Sequence, residues 1–204
     1  MTLPLKAFVL TGLLSASFSY ADENSITCFD LSKKITKPLL ENISFKKNEE
    51  GHPSYEKDTI GATEGTVSKS ISSIYKLLID HNTTKSSSVD EMSVEEKQDA
   101  NNLARHLVKF KVFPFPFVTI EWTEDWAYTL LEGTKEAPIK ILITYQKIEG
   151  TSHIGKLCGS IVLKKVSENE THLTLIEDAK ASRRDSKDTV EGLVGTIKTL
   201  RDAK

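Results

Sequence analysis

The segment VTIEWTEDWAYTLLEG, residues 118–133, places one carboxylate in the middle of an apolar row. In an extended strand every second side chain lies on the same face. That face carries Glu124 between two tryptophans, in the row Val118, Ile120, Trp122, Glu124, Trp126, Tyr128 and Leu130. Burying a carboxylate without a partner is costly. Glu124 is therefore expected either to remain exposed to water or to interact with a group that stabilises its carboxylate.

Three arrangements satisfy Glu124, and the sequence leaves all three open. The strand can bulge or bend so that the side chain faces solvent. The carboxylate can pair with a basic residue such as Arg105 or Lys147. It can also meet a polar group of a ligand in an otherwise apolar site, where a few polar groups fix the ligand's orientation.

Motifs for the commonest catalytic chemistries are absent from the sequence. The five histidines show neither the H-x-H nor the H-E-x-x-H spacing that is typical of a metal site. There is no G-x-S-x-G elbow, no P-loop and no G-x-G-x-x-G fingerprint, which argues against the commonest hydrolases and nucleotide-binding proteins. The sequence therefore predicts no metal, no cofactor and no catalytic residue.

Residues 1–21 have the pattern of a secretory signal peptide, with cleavage expected after Ala21. Lys6 gives a basic start, AFVLTGLL is a short apolar run, and Ser19 and Ala21 are small residues at the cleavage point. The apolar run is much shorter than the roughly 20 residues that span a bilayer. No second run is long enough to span a membrane. The protein is therefore expected in the periplasm or outside the cell.

Charge and cysteine content restrict the partners and the covalent structure. A formal net charge of −2 provides no basic field for nucleic acid. Only two cysteines occur, Cys28 and Cys158, and an even pair in an oxidising compartment favours one disulfide, with two unlinked buried thiols as the alternative. Cys158 is expected on the sheet face opposite the more apolar side chains. The bridge would then tie residues 22–54, an expected irregular extension, across the outside of the sheet.

Hydrophobic periodicity predicts an α+β protein. A first strand is expected within residues 55–67, a helix in SISSIYKLLIDH, a polar loop in HNTTKSSS and a solvent-facing strand followed by a turn in residues 89–102. Four clearer strands follow, and then a further segment, in residues 105–113, 117–131, 139–148, 156–166 and 171–181. Their connections are short, which favours antiparallel neighbours.

The chain ends in an amphipathic helix within residues 185–203, which Asp185 or Ser186 can cap. Its apolar stripe is Val190, Leu193, Val194, Ile197 and Leu200. After an antiparallel meander, the concave face of the sheet is the obvious place to bury this stripe. Gly192 and Gly195 inside the helix suit a close approach of its backbone to the sheet.

The order strand, short helix, antiparallel strands and long terminal helix resembles that of the START-like superfamily, also called SRPBCC. The resemblance rests on SISSIYKLLIDH, VKFKVFPFPF, ITYQKIEG and the closing DTVEGLVGTIKTL, and the corresponding domain is residues 55–204. It implies the helix-grip fold, in which a curved antiparallel sheet wraps around a long C-terminal helix with a deep apolar cavity between them. Members of this superfamily carry lipids, sterols, polyketides, quinones or plant hormones, and some are enzymes.

The predicted ligand-binding residues are the inward side chains of the central strands and of the helix. They are Trp122, Glu124, Trp126, Tyr128, Ile141, Ile143, Tyr145, Val190, Leu193, Val194 and Ile197. The leading hypothesis is a non-catalytic, exported binder or carrier of a small hydrophobic, lipid-like molecule. An enzyme of polyketide-cyclase or aromatase type is the first alternative. An envelope interaction module whose interior is filled by side chains is the second.

Overall fold

The structure is a computed structural model that describes residues 28–181 and 185–203. The expected signal peptide, residues 1–21, and the first residues of the expected extension, 22–27, lie outside the described residues.

One nine-stranded antiparallel sheet forms the body of the described chain, in the order β1-β2-β3-β9-β8-β7-β6-β5-β4. Five consecutive strands, β5 to β9, are each joined to the next by a short turn and form a meander. The strands are β1 Lys46–Lys47, β2 Pro53–Lys57, β3 Ile60–Val67, β4 Glu91–Glu96, β5 Ala104–Phe115, β6 Val118–Gly133, β7 Pro138–Gly150, β8 Ile154–Ser167 and β9 Glu170–Ala181. The antiparallel order predicted from the short connections is confirmed.

A helical segment carries the chain from one side of the sheet to the other. β3 pairs with β9, whereas β4 lies at the far edge beside β5. Helices α1, Ile71–Ile79, and α2, His81–Thr84, make this crossing. Ser70 caps α1 by accepting a hydrogen bond from the backbone N–H of Ser73, and Ile71, Ile74 and Leu78 are buried.

Helix α3, Ser186–Asp202, closes over the concave face and buries Val190, Leu193, Val194, Ile197 and Leu200. Asp185 and Asp188 form a reciprocal capping box at its start. The backbone of α3 approaches the backbone of β3 closely at Gly61. A Cβ at this position would lie only 2.9 Å from the carbonyl oxygen of Ser186. A Cβ at Gly195 would contact nothing within 4 Å. Gly195 is therefore not needed for a close approach of α3 to the sheet, and that expectation is wrong. The helix-grip fold itself is confirmed.

Two local expectations differ from the structure. The single strand expected within residues 55–67 is two strands, β2 and β3, separated by a turn at Asp58, whose φ of 53° lies in the left-handed region. β1 and the start of β2 therefore join the sheet before residue 55. The segment expected as a polar loop begins with the one-turn helix α2, because Asp80 caps it and His81 is buried against the core.

The N-terminal segment crosses the outer face of the sheet and is bonded to it. Cys28 forms a disulfide with Cys158 of β8, with a Cα–Cα distance of 6.3 Å, as predicted. The side chain of Gln146 accepts hydrogen bonds from the backbone N–H groups of Cys28 and Phe29, at 3.1 and 3.0 Å. Farther along, the hydroxyl of Ser160 accepts from the backbone N–H of Leu39 at 3.0 Å.

The disulfide should contribute strongly to stability because it closes a loop of 130 residues. In the chain-entropy model a loop of this length raises the free energy of unfolding by about 4 to 5 kcal/mol. We expect the Cys28→Ser/Cys158→Ser variant to unfold at markedly lower denaturant concentration. Intact-mass analysis should show no alkylated thiol in the wild type until a reductant is added. Two freely alkylated thiols without reductant would contradict the bridge.

Candidate ligand-binding site

A cavity of about 250 Å³ lies between the concave face of the sheet, α3 and the α1–α2 segment. The strands contribute mainly apolar and aromatic side chains, and α3 contributes Gly192, Leu193 and Thr196. The lining side chains from the strands are Phe110, Trp122, Glu124, Trp126, Tyr145, Leu157, Ile161, Leu175 and Glu177. The α1–α2 segment and the residues after it add Leu78, His81, Thr84, Lys85, Ser86 and Val89. The wall is therefore mainly apolar, with two carboxylates, one histidine and one lysine among its polar groups.

Glu124 is buried in this wall, and two indoles hold its carboxylate. Trp122 Nε1–H donates to Oε1 at 2.6 Å, and Trp126 Nε1–H donates to Oε2 at 2.9 Å. Residues two positions apart in a strand share a face, so both tryptophans can reach the carboxylate between them. Donors to a carboxylate favour its charged form. The indoles therefore offset part of the cost of burying Glu124, which is only 4% exposed.

A bulge in the strand and a basic partner were the other arrangements considered for Glu124. The register between β6 and β7 does shift between Thr123 and Glu124, but the carboxylate stays on the concave face. Arg105 forms a bidentate pair with Asp125, at 2.9 and 2.7 Å. Lys147 Nζ donates to the backbone carbonyls of Thr151 and Ile154, at 3.1 and 2.6 Å. The hydrogen bonds of both cations are thus directed elsewhere.

Glu177 of β9 is the second carboxylate of the cavity, and it was not predicted. It is 8% exposed, and Tyr145 Oη–H donates to its Oε2 at 2.7 Å. Tyr145 lies opposite Gly159, where a Cβ would be 2.3 Å from the phenol ring. Gly159 therefore provides the space that the phenol needs to reach Glu177. The alternation of Leu173, Leu175 and Glu177 in β9 was the available signal.

A histidine pair lies at the contact between α2 and the sheet, and His81 of this pair lines the cavity. His81 Nε2 lies 3.1 Å from His106 Nδ1 and 3.2 Å from Tyr128 Oη. Tyr128 Oη–H is also positioned to donate to the carbonyl oxygen of Leu78, at 3.2 Å. Burial lowers the pKa of His81 to about 4, and burial also lowers the pKa of His106. Both rings are therefore uncharged at neutral pH.

The structure divides the predicted ligand-binding residues into three groups. Those that line the cavity are Trp122, Glu124, Trp126, Tyr145 and Leu193. Those that pack in the hydrophobic core are Tyr128, Ile141, Ile143 and Ile197. Val194 is buried, and Val190 borders a different groove. The lining residues absent from the prediction include His81, Phe110 and Glu177.

That other groove, of about 700 Å³, lies on the surface between β1, β2 and the start of α3. Its border is rich in exposed charged side chains, among them Lys46, Lys47, Glu49, Lys187 and Glu191. Charged, exposed walls remain hydrated. The smaller cavity under α3 is therefore the better candidate for an apolar ligand.

Neither metal-ligand geometry nor a membrane-spanning helix occurs in the part of the chain that the structure describes. Within residues 28–181 and 185–203, no three His, Cys, Asp or Glu side chains are grouped closely enough to hold a metal ion. No helix in the same residues is both long and apolar enough to cross a membrane.

No protein-family model matches the sequence, and no curated protein matches it either. Solved structures do match. A STAR-related lipid transfer protein from Xanthomonas axonopodis superposes with a TM-score of 0.57 at 16% identity, covering 78% of this chain and 96% of that one. The lipid transfer and protein localization domain of human StarD13 gives a TM-score of 0.52 at 8% identity, covering 70% and 75%. The chain has a START-like fold.

The START-like fold also occurs in biosynthetic proteins. The di-domain ARO/CYC StfQ of the steffimycin pathway superposes with a TM-score of 0.50 at 11% identity, covering 70% of this chain and 44% of that one. At these identities the similarity establishes the START-like fold and not an activity. The function must be argued from the residues of the cavity.

The buried His81 should make stability depend on pH. Its pKa is about 4 when folded and 6.5 ordinarily, so the unfolded chain binds the proton more tightly between these values. Stability present above pH 6.5 is therefore lost as the pH falls towards 4, by an amount of the order of 2 to 3 kcal/mol. Denaturant unfolding at several pH values should show a shallower dependence for His81→Gln. Parallel curves for the two proteins would contradict this assignment.

The space beside Gly159 can be tested with a matched pair of substitutions in β8. Gly159→Ala places a methyl group against the Tyr145 ring and 2.7 Å from the backbone carbonyl oxygen of Ile176. The phenol must then move away from Glu177, and the backbone of β9 must shift. We expect a loss of about 1 to 3 kcal/mol from overpacking, measured by denaturant unfolding. At Gly155 the nearest atom to an added Cβ is 3.5 Å away, so Gly155→Ala should change stability little. Equal effects at the two glycines would show that Tyr145 is not confined by Gly159.

Proposed function

We propose that this protein is an exported START-like binder or carrier of a small hydrophobic molecule. The observation that carries the proposal is the cavity under α3, which combines apolar and aromatic walls with two buried carboxylates. Pockets for small molecules have this composition, with a few polar groups that fix orientation. The cavity also favours a binder over an interaction module whose interior is filled.

The size and chemistry of the cavity define the class of ligand. A volume of about 250 Å³ is near the lower end of the roughly 300–1,000 Å³ that is usual for such sites. The ligand is therefore compact, or only one end of a longer molecule enters. The polar groups of the wall include the carboxylates of Glu124 and Glu177 and the ammonium group of Lys85. A ligand whose polar end carries donors such as hydroxyl, amide N–H or amine groups suits the two carboxylates. The remainder should be hydrocarbon or aromatic.

Export rests on two observations of different kinds. The first 21 residues have the pattern of a secretory signal, and the Cys28–Cys158 disulfide suits an oxidising compartment. A carrier in the periplasm or outside the cell would need the signal for its export and would keep the disulfide after the signal is cleaved. Fractionation of cells that make the full-length protein, followed by N-terminal sequencing of the exported form, tests this part of the proposal.

An enzyme of polyketide-cyclase or aromatase type is the second candidate. The specific observation in its favour is the presence of Glu124, Glu177 and His81, three titratable groups, in the wall of one cavity. Carboxylates and imidazoles are the usual general acids and bases. Native mass spectrometry of the protein purified from its own source distinguishes the candidates. A co-purifying lipid-like mass supports a carrier, whereas turnover of a substrate that is lost in Glu124→Gln supports an enzyme.

Binding at the cavity wall can be measured with an environment-sensitive apolar probe and a set of competing amphiphiles. Trp126→Ala removes contact area, and we expect it to weaken probe binding about tenfold or more. Glu124→Gln should change the ranking of competitors that differ in their polar end more than the affinity for plain hydrocarbon. Ligands with hydrogen-bond donors should lose the most.

Matched controls separate these effects from general damage. Tyr55→Ala removes an aromatic side chain from the surface groove and is the control for Trp126→Ala. Glu121→Gln is the control for Glu124→Gln, because it neutralises a partly exposed carboxylate of β6 that pairs with Lys109. Both should bind the probe as the wild type does. If Trp126→Ala and Glu124→Gln also bind it unchanged, the cavity is ordinary core and the binding proposal fails.

A further inference from the structure

The hairpin between β5 and β6 ends in an exposed stretch that has no charge. Residues 113–119, FPFPFVT, are all exposed, and Phe113, Phe115 and Phe117 are 46%, 67% and 107% exposed. We call these seven residues the phenylalanine tip. Contiguous exposed apolar surface on a soluble domain marks an interaction site more often than scattered apolar residues do.

The phenylalanine tip continues one wall of the cavity. Phe110 of β5 lies opposite Trp122 of β6, their rings stack with centroids 5.1 Å apart, and both line the cavity. The paired strands then run on through Val112 and Ile120 to the last pair, Phe115 and Val118. A partner or surface that binds the phenylalanine tip is therefore held close to the cavity.

The backbone of the phenylalanine tip carries few free hydrogen-bond donors. Pro114 and Pro116 have no N–H. The N–H of Phe113 donates to Asp90 Oδ2 at 2.7 Å. Phe117 adopts a φ of 68°, which is rare for a bulky residue and leaves its ring fully in solvent. An unpaired N–H is costly outside water. The two prolines and the bonded N–H of Phe113 therefore lower the cost of moving this backbone out of water, compared with a tip of the same length without proline.

Most charges at the base of the tip are paired, and the carboxylate of Asp90 accepts a hydrogen bond from the N–H of Phe113. Lys109 pairs with Glu121 at 3.7 Å, and Lys111 pairs with Glu91 at 3.5 Å. Residues 112–120 between them contain no ionisable side chain. The surface that fits this arrangement is therefore apolar and does not need to be anionic.

The size of the tip favours a lipid surface over a protein. A stable protein interface buries about 800 Å² on each partner and involves roughly 20 to 30 residues per side. Seven residues on one projecting hairpin cannot supply that area by themselves. Hydrocarbon accepts a narrow apolar tip without a shape-matched pocket. We propose that the phenylalanine tip inserts into the apolar boundary of a lipid bilayer and holds the cavity beside it.

Vesicle flotation tests the proposal directly with the disulfide-bonded protein and neutral phosphatidylcholine vesicles. We expect the wild type to float with the vesicles, with little change between low and high salt. Phe115→Ser/Phe117→Ser should reduce binding by about tenfold or more, because each ring contributes buried apolar area. Ile139→Ser, at an exposed apolar position at the opposite end of the sheet, should bind as the wild type does.

Two further measurements make the outcome decisive. Denaturant unfolding should give the same stability for the wild type and both variants, because the substituted side chains are exposed. Probe binding in solution should also be unchanged in Phe115→Ser/Phe117→Ser, which separates bilayer insertion from binding in the cavity. Absence of flotation, or equal flotation of all three proteins, overturns the proposal. Self-association of the wild type that the double substitution abolishes would assign the tip to a second copy of this chain and also overturn it.

Discussion

The contact between α3 and the concave face of the sheet is the constraint on which the rest of the structure depends. Gly61 lets the first turn of α3 approach β3, and Val190 to Leu200 bury one side of the helix. The sheet is much wider than the helix, because it has nine strands. Part of the concave face beside α3 is covered instead by α1 and α2. The cavity lies where these covering elements and the meander meet.

Hydrogen bonds from uncharged donors make it possible to bury carboxylates in the apolar wall of the cavity. Two indole N–H groups hold Glu124, and the phenol of Tyr145 holds Glu177. The same aromatic rings also provide apolar contact surface, since Trp126 stacks on Tyr145 with centroids 4.4 Å apart. Polar recognition and hydrophobic burial are thus supplied by the same side chains. The aromatic residues position the acceptors and at the same time exclude water from them.

Much of the fold could be predicted from the sequence, whereas the site could be predicted only in part. Period-two and helical patterns predicted the meander, α1 and α3, and the cysteine pair predicted the bridge from Cys28 to Cys158. The alternating row in β6 predicted that Trp122, Glu124 and Trp126 share one face. Which apolar residues line a cavity and which fill the core could not be predicted. Tyr128 and Trp126 follow the same pattern, yet Tyr128 is fully buried beneath α1 and Trp126 lines the cavity.

The sequence by itself determined the period of each element, the short antiparallel connections and the face to which Glu124 belongs, because these depend on neighbours in the chain. Only the tertiary structure decided which distant groups meet. Tyr145 reaches Glu177 because β7 and β9 flank β8 at Gly159, and His81 is buried because α2 packs beside His106. These contacts depend on strand register and on the position of the crossing helices. Both are set by how all the elements pack together, so no local pattern specifies them.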